Sequence, residues 1–116
     1  MSTTLKKEIL LEYFPDECIM VGEQSLDILL NRPVELKRSE YGSNADLFHL
    51  LQTLAEAISF VENVISIYQM TKKKKEEPPS VNQIKEEIIK KITYKTIDGD
   101  TQTLIIQHVE RKIKYK

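Results

Sequence analysis

The residues that could do chemistry in this sequence are few and lie far apart. The two histidines, His49 and His108, belong to different predicted elements, and neither has a second histidine or a cysteine at metal-ligand spacing. Zinc sites are usually built from close pairs such as Cys-x-x-Cys or His-x-x-x-His. The sequence therefore predicts no metal site, and we interpret His49 as a solvated or hydrogen-bonded histidine rather than a ligand or a base.

Cys18 is the only cysteine, so it forms no disulfide within the chain. It would act as a nucleophile only with a histidine and an orienting acid beside it, and no local pattern supplies them. Its neighbours Ile19, Met20 and Val21 instead indicate a small buried residue. We predict that Cys18 is buried.

The stretch Asp98-Gly99-Asp100 raises a calcium loop as an alternative, because such loops begin with closely spaced aspartates. The remaining ligand positions are missing, because Thr103, Leu104 and Ile105 are predicted to continue as a strand, and a tight turn accounts for the same residues without a cation. The glycines are isolated, so the sequence has no phosphate-binding glycine-rich loop. We predict no catalytic, cofactor-binding or metal-binding residues, no cofactor, and a protein that is not an enzyme.

A run of four lysines is the strongest local charge in a chain whose net charge is −1. Such a run can contact nucleic-acid phosphates, but Glu76 and Glu77 follow it at once and dilute its field. We interpret it as part of a solvated linker and keep nucleic-acid binding as the alternative. The candidate basic patch consists of Lys72, Lys73, Lys74 and Lys75, with Lys112, Lys114 and Lys116 as a second basic cluster.

Length and composition predict a single small domain over residues 1–116, with an exposed linker at about 71–80. The 116 residues are 41% hydrophobic and 30% charged, which is typical of a globular chain. A single cysteine and an N-terminus without a long apolar run favour a cytoplasmic location.

The most informative stretch is a long apolar helix predicted over residues 47–70. Its large side chains repeat with the four-and-three spacing of a heptad. This stripe, the candidate helix interface, consists of Leu47, Leu51, Leu54, Ile58, Val61, Ile65 and Tyr68. A polar ribbon follows the opposite side and consists of His49, Gln52, Glu56, Ser59, Asn63 and Ser66.

This helix is long enough to cross a bilayer, which is the first alternative to weigh. Glu56 and Glu62 lie near its middle, and each carboxylate there costs about 2–3 kcal/mol on insertion. We therefore predict no membrane span. The stripe is covered either by the rest of this chain or by a helix from a second copy or a partner chain, and the sequence leaves both open.

Shorter elements are predicted on the N-terminal side of this helix. LKKEILLEYF has the spacing of a short helix that ends near Pro15, and ECIMVGEQ is interpreted as a brief strand. LDILLNR follows as a helix with Ser25 as its N-cap. VELKRSEY alternates as a strand does, and the turn YGSNAD separates it from the long helix.

On the C-terminal side, Ser80 and Gln83 form a Ser-x-x-Gln capping box that begins a helix over VNQIKEEIIKK. ITYKTI and TQTLII are rich in β-branched residues and flank Asp98-Gly99, the signature of a two-residue hairpin. We therefore predict an α+β fold in which a long apolar central helix and shorter helices pack on a small sheet. That sheet includes a C-terminal antiparallel hairpin.

From Val34 to His108, the order of strand, GSNADL turn, long helix and Asp-Gly hairpin resembles the effector-associated adaptor domains of bacterial conflict systems. The resemblance implies a non-catalytic module that couples proteins through domain contacts, in a bacterial or phage setting. Together with the heptad stripe, it leads us to expect an adaptor that oligomerises or docks a protein partner. A nucleic-acid-associated accessory protein is the alternative.

Overall fold

All regular secondary structure in the described part of the chain is helical. A computed structural model describes residues 2–31 and 45–114, and no strand occurs among them. The six helices are α1 (Ser2–Tyr13), α2 (Pro15–Val21), α3 (Glu23–Asn31), α4 (Ala45–Lys73), α5 (Val81–Ile89) and α6 (Gly99–Lys114). The α+β prediction, with its sheet and C-terminal hairpin, is therefore wrong. The predicted strand VELKRSEY and most of the turn after it lie outside the described residues.

The predicted hairpin is replaced by an irregular segment and the capped helix α6. The Asp98 carboxylate accepts a hydrogen bond from the backbone N–H of Thr101 at 2.7 Å, which makes Asp98 the N-cap of α6. The same hydrogen bond holds the pKa of Asp98 below its usual value. Ile105, Ile106 and Val109 are fully buried, and this spacing places them on one face of a helix. Asp-Gly here starts a helix rather than closing a turn.

The N-terminal region is three short helices with no strand. ECIMV, predicted as strand, lies in α2, which begins with Pro15 at its first turn and is followed by Gly22. Pro15 thus starts a helix as well as following one, as its fixed φ allows. The third helix begins at Glu23, two residues before the predicted cap Ser25.

The predicted long helix and the predicted capping box are both confirmed. Helix α4 runs for 29 residues and continues to Lys73. Its end is a Schellman motif, in which Lys75 N–H bonds Lys72 O and Glu76 N–H bonds Thr71 O, each at 3.1 Å. The Ser80 hydroxyl accepts from Gln83 N–H while the Gln83 side chain accepts from Ser80 N–H.

The chain divides into two compact units, Met1–Ile58 and Ser59–Lys116, and α4 contributes to both. In the first unit, α1 packs against α2 and α3, and α2 packs against α3. In the second unit, α5 packs against α6. The first core includes Ile9, Leu10, Leu26, Leu51 and Leu54. The second core includes Phe60, Val61, Val64, Ile84, Ile105, Ile106 and Val109.

Gly22 between α2 and α3 provides a direct test of this backbone. Its φ of 86° and ψ of 156° fall in a region that essentially only glycine occupies, although a Cβ there would meet no atom within 4 Å. We expect Gly22→Ala to lower the free energy of unfolding by about 1–3 kcal/mol through backbone strain alone. Urea unfolding followed by circular dichroism measures it.

The matched control is Gly99→Ala at the first residue of α6, where a Cβ also meets nothing and φ is not positive. We expect its stability to be unchanged or slightly raised, because alanine lowers the entropy of the unfolded chain. Equal losses in the two variants would contradict the assigned conformation of Gly22.

Candidate functional site

The candidate helix interface lies mostly inside the protein. Five of its seven side chains are buried within this chain, and the other two are half-buried. The buried ones are Leu51, Leu54, Ile58, Val61 and Tyr68, and the half-buried ones are Leu47 and Ile65. The stripe is thus core, and an interface with another chain needs a different surface. That an interface exists stays a prediction.

The polar ribbon of α4 is only partly exposed: His49, Gln52 and Ser66 are exposed, and Glu56, Ser59 and Asn63 are half-buried. Ser59 Oγ and Tyr94 Oη share a hydrogen bond of 2.9 Å, and Asn63 Nδ2 donates to the same Tyr94 oxygen at 2.6 Å. The ring of Tyr94 also meets Phe60 edge to face, with centroids 5.3 Å apart. Tyr94 therefore fastens the irregular α5–α6 connection to α4 by an aromatic contact and two hydrogen bonds.

A second buried tyrosine lies in the same unit and is held differently. The Tyr68 hydroxyl is buried and has no hydrogen-bond partner of normal geometry among the described residues. Burial, then the nearby charge of Glu110 and a polar contact of the hydroxyl with that carboxylate that falls short of good hydrogen-bond geometry, raise the pKa of Tyr68 to about 12. The hydroxyl therefore stays neutral at physiological pH. Its lack of a good partner makes Tyr68 the natural control for Tyr94.

We expect Tyr94→Phe to lower the free energy of unfolding by about 1–3 kcal/mol, because Ser59 and Asn63 lose their shared partner. Tyr68→Phe removes a hydroxyl that makes no such bond. We expect it to be neutral or stabilising. Both variants keep the aromatic ring, so urea unfolding isolates the hydroxyl. A loss in Tyr68→Phe as large as that in Tyr94→Phe would contradict the assigned anchor.

The residues considered for chemistry do not come together. Cys18 is buried, as predicted, its Sγ donates to Leu10 O at 3.5 Å, and burial raises the pKa of the thiol. His49 is exposed on α4 and His108 is half-buried on α6. Over residues 2–31 and 45–114, no group of histidine, cysteine or carboxylate side chains is arranged to hold a metal ion.

All four lysines of the candidate basic patch are exposed. Lys72 and Lys73 end α4, and Lys74 and Lys75 form the turn after it. None of the four makes an ion pair with a described residue, although Glu76 and Glu77 are adjacent in sequence. Cations at a helix C-terminus complement its dipole, which accounts for part of their placement.

An open groove of about 430 Å³ lies along α1 and α3. It is lined by Lys7, Glu8, Leu11, Asp27, Leu30 and Asn31, among others. Lys7 Nζ and Asp27 Oδ1 form an ion pair of 3.5 Å inside it. These two charged side chains of the groove are thus paired with each other.

The most exposed large apolar side chains lie on α2, where sequence reasoning predicted a strand. Ile19 is 79% exposed and Met20 is 67% exposed. Asp16 precedes them by three and four positions, so all three share one side of the helix, and the exposed Glu23 follows. We name this surface, Asp16, Ile19, Met20 and Glu23, the α2 face. Pro15 followed by two acidic residues is the helix-start signal that could have revealed it.

A second surface of this kind lies at the end of α5. Ile89 is 66% exposed and Ile92 is 44% exposed. Lys90 and Lys91 between them are also exposed, and Lys90 pairs with Glu87 at 3.3 Å on the surface. We name Ile89, Lys90, Lys91 and Ile92 the α5 end. The sequence placed Lys90 and Lys91 on the outside but assigned Ile92 to a hairpin face.

No protein-family model, curated protein or solved structure matches this chain. The resemblance to effector-associated adaptor domains rested in part on the C-terminal hairpin, which is helix α6 here. By length and composition, the stretch Leu47–Lys73 is the one helix in the described ranges that could cross a membrane. Within the most apolar part of this helix, 44% is buried inside the protein, which is consistent with a soluble protein.

Proposed function

We propose that this protein is a non-catalytic interaction module that binds another protein through the α2 face. The observation that carries the proposal is the exposure of Ile19 and Met20, two consecutive large apolar side chains, at 79% and 67%. Burying such a side chain contributes about 1.5–3 kcal/mol of favourable free energy, so contact with a partner protein is favoured. Helix α2 ends before Gly22, and Cys18 and Val21 are buried on its inner side.

The charges around this face indicate what kind of partner fits. Among the described residues of α1 to α3, the charged residues that are exposed are all acidic: Glu8, Glu12, Asp16 and Glu23. Of the two lysines in these helices, Lys6 is buried and Lys7 is paired with Asp27. A partner surface with exposed apolar residues and a basic rim is therefore favoured, since complementary charges speed association and exclude wrong partners.

The proposed location is the cytoplasm, supported by the single buried, unpaired cysteine. The proposed adaptor role is to bind another protein through this exposed surface rather than to catalyse a reaction. The setting in a bacterial or phage conflict system stays a prediction.

A photo-cross-linking residue placed at position 19 in native cells tests the proposal. We expect a defined protein cross-link from position 19 and none from position 104, where Leu104 is a matched exposed apolar control. The protein identified by the cross-link is then purified without the cross-link, and its binding to this chain is measured by calorimetry. We expect Ile19→Ser with Met20→Ser to weaken it about tenfold or more, corresponding to at least 1.4 kcal/mol. Equal cross-linking from both positions, or none from position 19, would refute the α2 face as a binding surface.

Nucleic-acid binding is the second candidate, favoured by the four exposed lysines that pair with no described residue. If Lys72–Lys75 contact phosphates, affinity for mixed single-stranded DNA and RNA falls with salt, with a log–log slope of about −3. Replacing all four lysines by glutamine should remove that binding, while replacing them by arginine should keep it. A chain that is not retained on nucleic acid even at low salt contradicts this candidate.

A further inference from the structure

The two named surfaces both expose large apolar side chains, and their own charged residues are of opposite sign. The α2 face offers Ile19 and Met20 beside Asp16 and Glu23, and the α5 end offers Ile89 and Ile92 beside Lys90 and Lys91. In each, two exposed large apolar side chains lie beside exposed charged side chains, acidic on the α2 face and basic at the α5 end, where Lys90 also pairs with the exposed Glu87. Each is therefore the kind of partner that the other favours.

The difference in charge extends to the helices and segments around the two surfaces. Helices α1 to α3 carry Lys6 and Lys7 against six carboxylates, which are Glu8, Glu12, Asp16, Glu17, Glu23 and Asp27. The stretch from Ile88 to Ile97 contains Lys90, Lys91 and Lys95 and no acidic residue, between Glu86 and Glu87 on one side and Asp98 on the other. The net charge of −1 for the whole chain hides this separation, because the negative charge of the N-terminal half nearly cancels the positive charge of the C-terminal half. Charge asymmetry of this sort produces long-range attraction between copies at low salt.

We propose that the α2 face of one copy binds the α5 end of a second copy, giving head-to-tail self-association. The inference rests on the proposed function, in that it names the partner of the α2 face as this same chain. The aliphatic side chains meet at the centre of the contact, and the carboxylates of one copy lie against the ammonium groups of the other. Charge complementarity selects this pairing over α2 face on α2 face, which would bring like charges together.

A contact between two different surfaces has a distinct consequence for assembly. Each bound copy leaves its other surface open, so the contact extends into a ring or an open chain rather than stopping at a symmetric dimer. The apolar area is small compared with a standard stable interface, so the association should be weak and concentration-dependent. Salt weakens it, because the screening length falls from about 30 Å at 0.01 M to about 3 Å at 1 M.

Two assembly-blocked variants of the full chain test the pairing. One is Ile19→Ser with Met20→Ser, which removes the apolar part of the α2 face, and the other is Ile89→Ser with Ile92→Ser, which removes that of the α5 end. All four side chains are exposed, so both variants should fold, as circular dichroism will show. A third variant, Lys90→Glu with Lys91→Glu, blocks the α5 end by charge alone.

Sedimentation velocity is measured over a wide concentration range at low and high salt. We expect the wild-type mass to rise with concentration at low salt, and each variant to remain monomeric. An equimolar mixture of the two serine variants should form a one-to-one dimer and nothing larger, because each supplies the surface that the other lacks. A mixture that stays monomeric overturns the head-to-tail pairing, as does a wild type that is monomeric under all conditions. A monomeric wild type whose position 19 still cross-links a different protein overturns this inference and leaves the proposed function intact.

Discussion

The structure depends on covering the apolar side chains of α4. Leu54, Ala57, Phe60, Val61 and Val64 are fully buried along this helix, and Leu51 and Ile58 nearly so. The large ones contribute about 1.5–3 kcal/mol each, more than any surface ion pair in the protein can supply. The shorter helices of each unit bring their own buried residues to such a core, and the anchor at Tyr94 fixes an irregular segment against the helix. The apolar side chains that make α4 resemble a membrane span thus form part of the protein core.

Several helices and the burial of Cys18 could be predicted from the sequence, because the local pattern at each of them fits only one structure. The heptad spacing gave α4, the Ser80–Gln83 capping box gave the start of α5, and the apolar neighbours of Cys18 gave its burial. The C-terminal error arose where one signal had two meanings. Asp98-Gly99 closes hairpins but also caps helices, and isoleucine and threonine favour strands only weakly. The spacing of Ile105, Ile106 and Val109 was the better guide, because burial on one helix face outweighs propensity.

The candidate interface shows a different limit. A heptad stripe identifies which side chains must be covered, but the sequence does not say which chain covers them. The structure shows five of the seven buried by their own chain. It also shows exposed apolar residues at the α2 face and the α5 end, which no periodic pattern marked. Their exposure follows from short helices whose opposite sides are occupied by Cys18 and Val21, or by Ile84 and Ile88. Such surfaces emerge from packing and are hard to predict from a single sequence.

The most direct test of this account is amide hydrogen exchange along α4, measured residue by residue at several protein concentrations. If the stripe is covered by its own chain, the amides from Leu51 to Val64 should be the slowest to exchange. Their protection should then be the same in dilute and concentrated samples. Protection of α4 that appears only at high concentration would contradict the account, because it would mean that a neighbouring copy covers the stripe.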